Sequence, residues 1–346
     1  MQSAPQRTVL LTGAAGVIGR AIAAELPDCH VIGMAHSDHD IPEVDEVVGG
    51  DLSAPRLGLT DRQFDELSER VDTVVHSGAL TEWGQEPERY QTVNIDGTAR
   101  VVEFAQAAGA PVHYVSTCFV NAIELDQLHL LGEQNVVRPY IWSKLEAERL
   151  LAASGVAHSV YRPTNLVGDS RTGASFRPQI VQMMSQWFCR GKAPYFPVHD
   201  GNLMDLLSLD VSAIAIARAV EADDLGQLYW LTAGDAALTA EEAVEILREH
   251  AAEFGRQIPR PPIVDPSGPL PVAWESVSET SRAFLKVLTD VSEVTRASGG
   301  VLPTSLPQLY ERHRVPEVSA AAAYRKSLDY WALQKQSSRV LSKEMS

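Results

Sequence analysis

An α/β fold built on a doubly wound parallel sheet, with a smaller and less regular C-terminal region, is what this sequence predicts, and three observations predict it. A short apolar run, Thr8-Val9-Leu10-Leu11, leads directly into a glycine-rich turn and an alanine-rich helix. Strand-like apolar runs then alternate with helical patterns to about residue 165. Beyond that point the alternation breaks down, and prolines collect between 259 and 271.

Taken in order, residues 8–11 are the first strand and 20–26 the first helix, so Thr12-Gly13-Ala14-Ala15-Gly16-Val17-Ile18-Gly19 is a strand-to-helix turn. Further strands are expected at 30–34, 44–48, 73–76, 112–116 and 159–161, with helices at 97–108 and 144–153. Strands that alternate with helices make a parallel sheet covered on both faces, a Rossmann-type arrangement. Residues 1–168 form this nucleotide domain, with sheet positions that residues up to about 235 could complete. Residues 169–335 form a mixed substrate-binding region, with helices at 179–190, 239–254, 276–297 and 320–333 and a short strand near 227–231. The polar end, 336–346, is expected to be a flexible tail.

With 346 residues, 45% of them hydrophobic, the chain can bury a full core. The balance of 29 Lys+Arg against 45 Asp+Glu, a net charge of -16, opposes nucleic acid and anionic membrane surfaces as partners. Three cysteines without a CxxC pair provide neither a disulfide framework nor a zinc site, and fit a reducing cytoplasm. No apolar run approaches the ~20 residues that span a bilayer. Arg7 and the apolar residues after it look superficially like a secretory signal, but the glycine spacing fits a phosphate-binding turn better. Ten histidines include no HxxxH or HxH pair, so no metal site is expected, and the GxSxG elbow of serine hydrolases is absent.

In the first turn, Gly13, Gly16 and Gly19 would let the backbone N–H groups of Ala15, Val17 and Ile18 approach a pyrophosphate at a helix N-terminus. Such a turn also occurs in α/β proteins that bind no nucleotide; its place after the first apolar strand favours the cofactor reading. The second strand ends in Ala35-His36, without the acid that would hold an NAD ribose, so NADP(H) is expected rather than NAD(H). Arg20, helped by His36, could meet a 2′-phosphate; alternatively Arg20 covers a solvent face. Asp51-Leu52 would lie beside the adenine.

Tyr140-Ile141-Trp142-Ser143-Lys144 places a phenol and an ammonium four apart on one helix face. A phenol with a reference pKa of about 10 stays protonated near neutrality, and an adjacent cation stabilises the phenolate, so Tyr140 can exchange a proton with a substrate oxygen. Lys144 would also hold the nicotinamide ribose. Upstream, Val115-Ser116-Thr117 ends a strand, and Thr117 rather than Ser116 is the expected partner of the reacting carbonyl, although both hydroxyls could simply serve loop backbone. Asn94 would begin the central helix, touching the cofactor or a relay water, or acting only as an N-cap. His76 and His113 read as core residues. Trp83, Trp142 and Trp187 could wall a substrate pocket or pack in the core.

Together these residues resemble the extended short-chain dehydrogenases/reductases, whose marks are TGxxGxxG, a Ser/Thr and YxxxK. Stretches at 50–60, 74–83 (including Ser77-Gly78-Ala79), 93–98, 140–148 and 161–173 are similar to the thioester-reductase branch: terminal reductase domains of carboxylic acid reductases and nonribosomal peptide synthetases, and fatty acyl-CoA reductases. The resemblance implies Thr117, Tyr140 and Lys144 as the catalytic set. It implies Ser77, Gly78 and Ala79 along the cofactor, and Arg162, Pro163 and Asn165 at its nicotinamide end. It also implies NADPH-dependent reduction of an acyl thioester, or the derived aldehyde, delivered by a separate carrier protein or as a CoA ester, and allows a homodimer. Three other readings stay open: a ketone/alcohol dehydrogenase, a sugar-nucleotide epimerase or dehydratase that retains NAD, and a non-enzymatic nucleotide sensor. The branch usually has a basic residue where this chain has Ala35 and His36, and residues 255–320 match nothing in it.

Overall fold

The computed structural model describes residues 6–36 and 40–344, with side chains as far as Lys335. Its strands are β1 (Thr8–Thr12), β2 (His30–Ala35), β3 (Glu46–Gly49), β4 (Thr73–His76), β5 (Val112–Val115), β6 (His158–Pro163), β7 (Asn165–Val167), β8 (Phe196–Pro197), β9 (Leu206–Ser208), β10 (Leu228–Leu231) and β11 (Ile263–Val264). Its α-helices are α1 (Val17–Ala24), α2 (Asp61–Ser68), α3 (Pro87–Tyr90), α4 (Asp96–Ala108), α5 (Asn121–Glu124), α6 (Arg138–Ala153), α7 (Ile180–Phe188), α8 (Leu209–Glu221), α9 (Ala240–Glu253), α10 (Glu279–Ala297), α11 (Leu306–His313) and α12 (Ala320–Glu344).

Seven parallel strands in the order β10-β6-β5-β4-β1-β2-β3 make the central sheet. Successive side chains of a strand point to opposite faces. Val9 and Leu11 accordingly enter a core with Ile22 of α1 and Val211 of α8, while Leu10 enters the opposite core with Phe64 of α2, Phe104 of α4 and Leu151 of α6. Strand order reverses between β1 and β4, and the crevice at the C-terminal ends of those two strands is where a doubly wound sheet holds its ligand. The sheet thus has the expected α/β, doubly wound class. A further core joins α7, α9, α10 and α12 to the two short parallel pairs β7–β9 and β8–β11.

Several elements differ from the sequence expectation. The helix expected at 97 starts ten residues earlier, at Pro87, and runs through a π-helical turn, Gln91–Ile95, into α4. Proline suits the first helical turn because its fixed φ is already helical and its missing N–H has no partner there. Asn94 therefore lies inside helical backbone and is not an N-cap. The proline-rich stretch contains β11, which pairs with β8. The last helix continues to Glu344, past the point where fraying is expected, because neither glycine nor proline interrupts residues 320–344; residues 345–346 lie outside the described residues.

Candidate active site

The glycine turn is built by close approach of backbone. Gly13 has φ +70°, a left-handed conformation that penalises any Cβ, and a Cβ there would lie 2.6 Å from Cα of Gly78. A Cβ on Gly19 would lie 2.2 Å from the Gly13 carbonyl oxygen, which already accepts the Gly16 N–H at 2.8 Å. Gly16 stands at the N-cap of α1 in extended conformation with no side-chain cap, and no acid occupies the first turn. Among the described residues no side-chain cap accepts the first N–H groups of α1, those of Val17 and Ile18 among them, and this end of the helix suits an anion. Ala15 and Ile18 pack partly against the α1/α8 core, and Val17 is buried.

The loop after β4 meets this turn. The Ser77 hydroxyl donates to the Thr12 carbonyl at 2.8 Å and the Gly78 N–H to Thr12 Oγ1 at 3.2 Å, while a Cβ on Gly78 would lie 2.9 Å from Leu52. Ala79 follows them in the same loop. His76, buried between Thr12 Oγ1 (2.7 Å) and Thr98 Oγ1 (3.1 Å), is pushed by burial down to about 3, so it is a neutral core residue. Asp51 accepts the Ser53 hydroxyl at 2.6 Å, which with the Ser53 N–H holds its carboxyl below the usual range. His36 Nε2 is 3.8 Å from Asp51 Oδ2 and its ring is largely exposed. These groups form a backbone-lined crevice at the switch point, and the cradle fits a dinucleotide.

Arg20 is not the solvent-facing cover that its helix position allows. It is buried, pairs with Glu43 at 3.0 Å, donates to the Asp40 carbonyl at 2.8 Å, and lies over the Phe176 ring at 4.0 Å. Arg162 also departs from the nicotinamide-end expectation: its guanidinium donates to both Glu124 oxygens (2.6 and 2.7 Å) and both Glu148 oxygens (3.1 and 2.5 Å), and lies over Trp230. Its position next to the C-terminal end of β6 gives it carboxylate partners from two helices, Glu124 of α5 and Glu148 of α6. Pro163 closes β6, and Asn165 opens β7 at the rim of an apolar cavity.

Thr117, Tyr140 and Lys144 converge. Tyr140 and Lys144 are one turn apart on α6 and both buried. Lys144 Nζ donates to the Val115 carbonyl at 2.7 Å and lies 4.3 Å from the Tyr114 ring centroid. Burial lowers Lys144 to about 7, against the pull of Glu148 one turn further on. Burial raises the Tyr140 phenol above its ordinary value, and its hydrogen bond with Thr117 partly offsets this. Thr117 also accepts the Phe119 N–H at 3.4 Å, so its hydroxyl serves both loop backbone and phenol. Ser116, beside it, is buried with no partner for Oγ among the described residues.

Asn94 ties the crevice to the catalytic helix. Its carboxamide pairs with both backbone groups of Leu80 (2.7 and 3.1 Å) and donates to Ser143 Oγ at 2.9 Å, which in turn donates to the Tyr140 carbonyl at 2.7 Å. Sequence reasoning missed Ser143; only its place inside YxxxK pointed to it. Of the three tryptophans, Trp83 packs on Phe119 at the cavity rim, Trp142 is half-exposed, and Trp187 is buried against Phe284.

Residues 34–216, more than half of the chain, match the profile of an NAD-binding family described as male sterility protein. The chain belongs to this family. It is an NAD(P)-dependent oxidoreductase of the extended short-chain dehydrogenase/reductase type, on the thioester-reductase branch. This male sterility family member is 29% identical over 246 residues to polyketide synthase-nonribosomal peptide synthetase ffsA of Aspergillus flavipes, covering 64% of this chain and 6% of that one. It is 32% identical over 182 residues to a linear gramicidin synthase of Brevibacillus parabrevis, covering 49% and 4%. The chain thus spans a small fraction of these relatives' length. The terminal R domain of the myxalamid PKS-NRPS pathway shares its fold, with TM-score 0.72 and 23% identity over 96% of this chain and 92% of that one. Among the described residues no helix is long and apolar enough to cross a membrane.

Proposed function

We propose that this protein is an NADPH-dependent reductase of an acyl thioester, presented on a carrier protein or as a CoA ester. The observation that carries the reading is the convergence of the Tyr140 phenol, the Thr117 hydroxyl and the Lys144 ammonium beside the glycine crevice, in a chain of the thioester-reductase branch. The relatives' names, a polyketide synthase-nonribosomal peptide synthetase and a gramicidin synthase, support a carrier-bound substrate. Ala35 and His36 at the end of β2, in place of an acid, support NADPH over NADH.

Gly13, Gly16, Gly19 and the N-terminus of α1 would hold the pyrophosphate, the Ser77-Gly78-Ala79 loop and Asn94 would border the cofactor, and Lys144 would hold the nicotinamide ribose. The reduced nicotinamide, when bound, supplies the hydride that the carbonyl carbon accepts. As negative charge develops on the carbonyl oxygen, Tyr140 gives it the phenolic proton and Thr117 donates a second hydrogen bond. Lys144 as the ammonium stabilises the phenolate left behind. The resulting hemithioacetal breaks its C–S bond, the hydroxyl proton passes to sulfur, and aldehyde and free thiol leave. The balance is one thioester, one hydride and one proton in, and one aldehyde and one thiol out.

Titration with NADPH and NADH, followed by acyl thioesters and aldehydes under nicotinamide absorbance, tests this. Tighter NADPH binding with thioester-dependent oxidation is expected. Tightly retained NAD with no net NADPH consumption would favour an epimerase instead.

A further inference from the structure

We propose that Arg162 is a positioning residue for the reaction: by holding both carboxylate oxygens of Glu148 it keeps that side chain from closing an ion pair on Lys144, and so leaves the Lys144 ammonium free to stabilise the Tyr140 phenolate. This rests on the catalytic reading of Tyr140 and Lys144 given above. Lys144 and Glu148 stand one turn apart on α6 and are both buried, a spacing at which an ammonium and a carboxylate pair readily. Away from water such a pair would be strongly held. Among the described residues, however, Lys144 forms no ion pair; its Nζ donates to the Val115 carbonyl at 2.7 Å and lies 4.3 Å from the Tyr114 ring centroid.

The reason lies on β6. Arg162 Nε and Nη2 donate to Glu148 Oε1 and Oε2 at 3.1 and 2.5 Å, the two-pronged contact that a planar guanidinium makes and an ammonium does not. Arg162 is itself fixed from two other sides. Glu124 of α5 accepts from Nη1 and Nη2 at 2.6 and 2.7 Å, and the guanidinium carbon lies 4.7 Å from the ring centroid of Trp230 on β10. The remaining titratable groups that face Lys144 supply no competing anion: His76 of β4 is neutral, and burial holds the phenols of Tyr114 on β5 and Tyr140 on α6 protonated. The charges also balance. Lys144 and Arg162 oppose Glu124 and Glu148, so Glu148 favours the ammonium from a distance while its oxygens are committed elsewhere.

The test follows the Lys144 Cε resonance with pH by NMR, in protein carrying carbon-13-labelled lysine and without cofactor or substrate, the resonance being identified by its loss in Lys144→Met. Profiles of kcat/KM against pH for an acyl thioester accompany it. The wild-type midpoint is expected at about 7. Arg162→Met releases Glu148 onto Lys144 and should tighten proton binding by about ten-fold or more, whereas Glu148→Gln should weaken it by about ten-fold or more, each ten-fold moving the midpoint by about one pH unit. Arg162→Lys, which keeps the charge but not the fork, should fall between the wild type and Arg162→Met. Well below the midpoint, where Lys144 is protonated in both, Arg162→Met should also lower kcat by roughly ten-fold or more with KM little changed, because Nζ is drawn away from Tyr140. Thermal melting checks the fold of each variant, and Arg162→Lys with Glu148→Gln decide the matter if Arg162→Met does not fold. Midpoints that stay at the wild-type value, or that move in the same direction in the Arg162 and Glu148 variants, would overturn the restraint and leave the reductase standing. Opposite displacements, in a protein whose wild type reduces no thioester, would keep the restraint and overturn the reductase reading.

Discussion

Lys144 is a buried cation supported by the Glu148 carboxylate one turn away, and because burial outweighs that support its affinity for its proton falls to about 7. The ammonium is the form that stabilises a Tyr140 phenolate, so kcat/KM for reduction is expected to be full below this value and to fall as pH rises through about 7. Stability moves the other way. The folded value lies below the ordinary 10.5, so between the two the unfolded chain binds the extra proton, and this group makes the fold more stable as pH rises across that window. Comparing urea denaturation of the wild type and Lys144→Met over this range should show the difference. Tyr140→Phe keeps the ring and removes the proton donor; turnover should drop by roughly 10²–10⁴-fold, with nicotinamide binding nearly unchanged by titration. Arg162→Met leaves Glu148 buried without its partner and should cost about 3–5 kcal/mol in denaturant unfolding, with part regained in a double variant with Glu148→Gln. That Tyr140, Lys144 and Thr117 come together was legible, because the four-residue spacing puts two of them on one helix face and the third ends the strand beneath it. The surroundings of Arg20 and Arg162 were not, since their carboxylate partners Glu43, Glu124 and Glu148 are brought to them only by the fold.

The turn between β1 and α1 is the element that the sequence states most openly, because close backbone approach admits only small residues. Gly13→Ala would place a methyl group 2.6 Å from Gly78 in a left-handed backbone, and is expected to weaken nicotinamide binding and lower Tm together, read by titration and by thermal melting. The start of the central helix was less legible. Apolar periodicity marks α4, but the helical backbone before it carries Pro87 and a π-helical turn whose one-residue offset breaks the 3.6-residue pattern. That turn lies where Asn94 reaches both Leu80 and Ser143. The β8–β11 pair was hidden because each strand has only two residues and one lies among prolines.

At the scale of the molecule, the chain leaves the sheet after β6 and returns to it with β10. Leu207, Val211, Leu231, Leu309 and Val315, all beyond residue 169, lie in the same core as Val9 and Leu11. The two regions should therefore unfold together, and far-ultraviolet circular dichroism and tryptophan fluorescence are expected to report one coincident transition; two separated transitions would show independent units. Alternation of strand and helix made the sheet legible as far as β6. The C-terminal region, whose contacts are between distant segments, carries no such period, and its apolar cavity became visible only in three dimensions.

That Tyr140 drives reduction of an acyl thioester is tested most directly by mixing the protein with NADPH and octanoyl-CoA while following nicotinamide absorbance and free thiol in one experiment. Thiol is expected to appear with NADPH loss in the wild type, and both signals to vanish in Tyr140→Phe. NADPH loss without thiol release, or equal turnover by Tyr140→Phe, would contradict this mechanism.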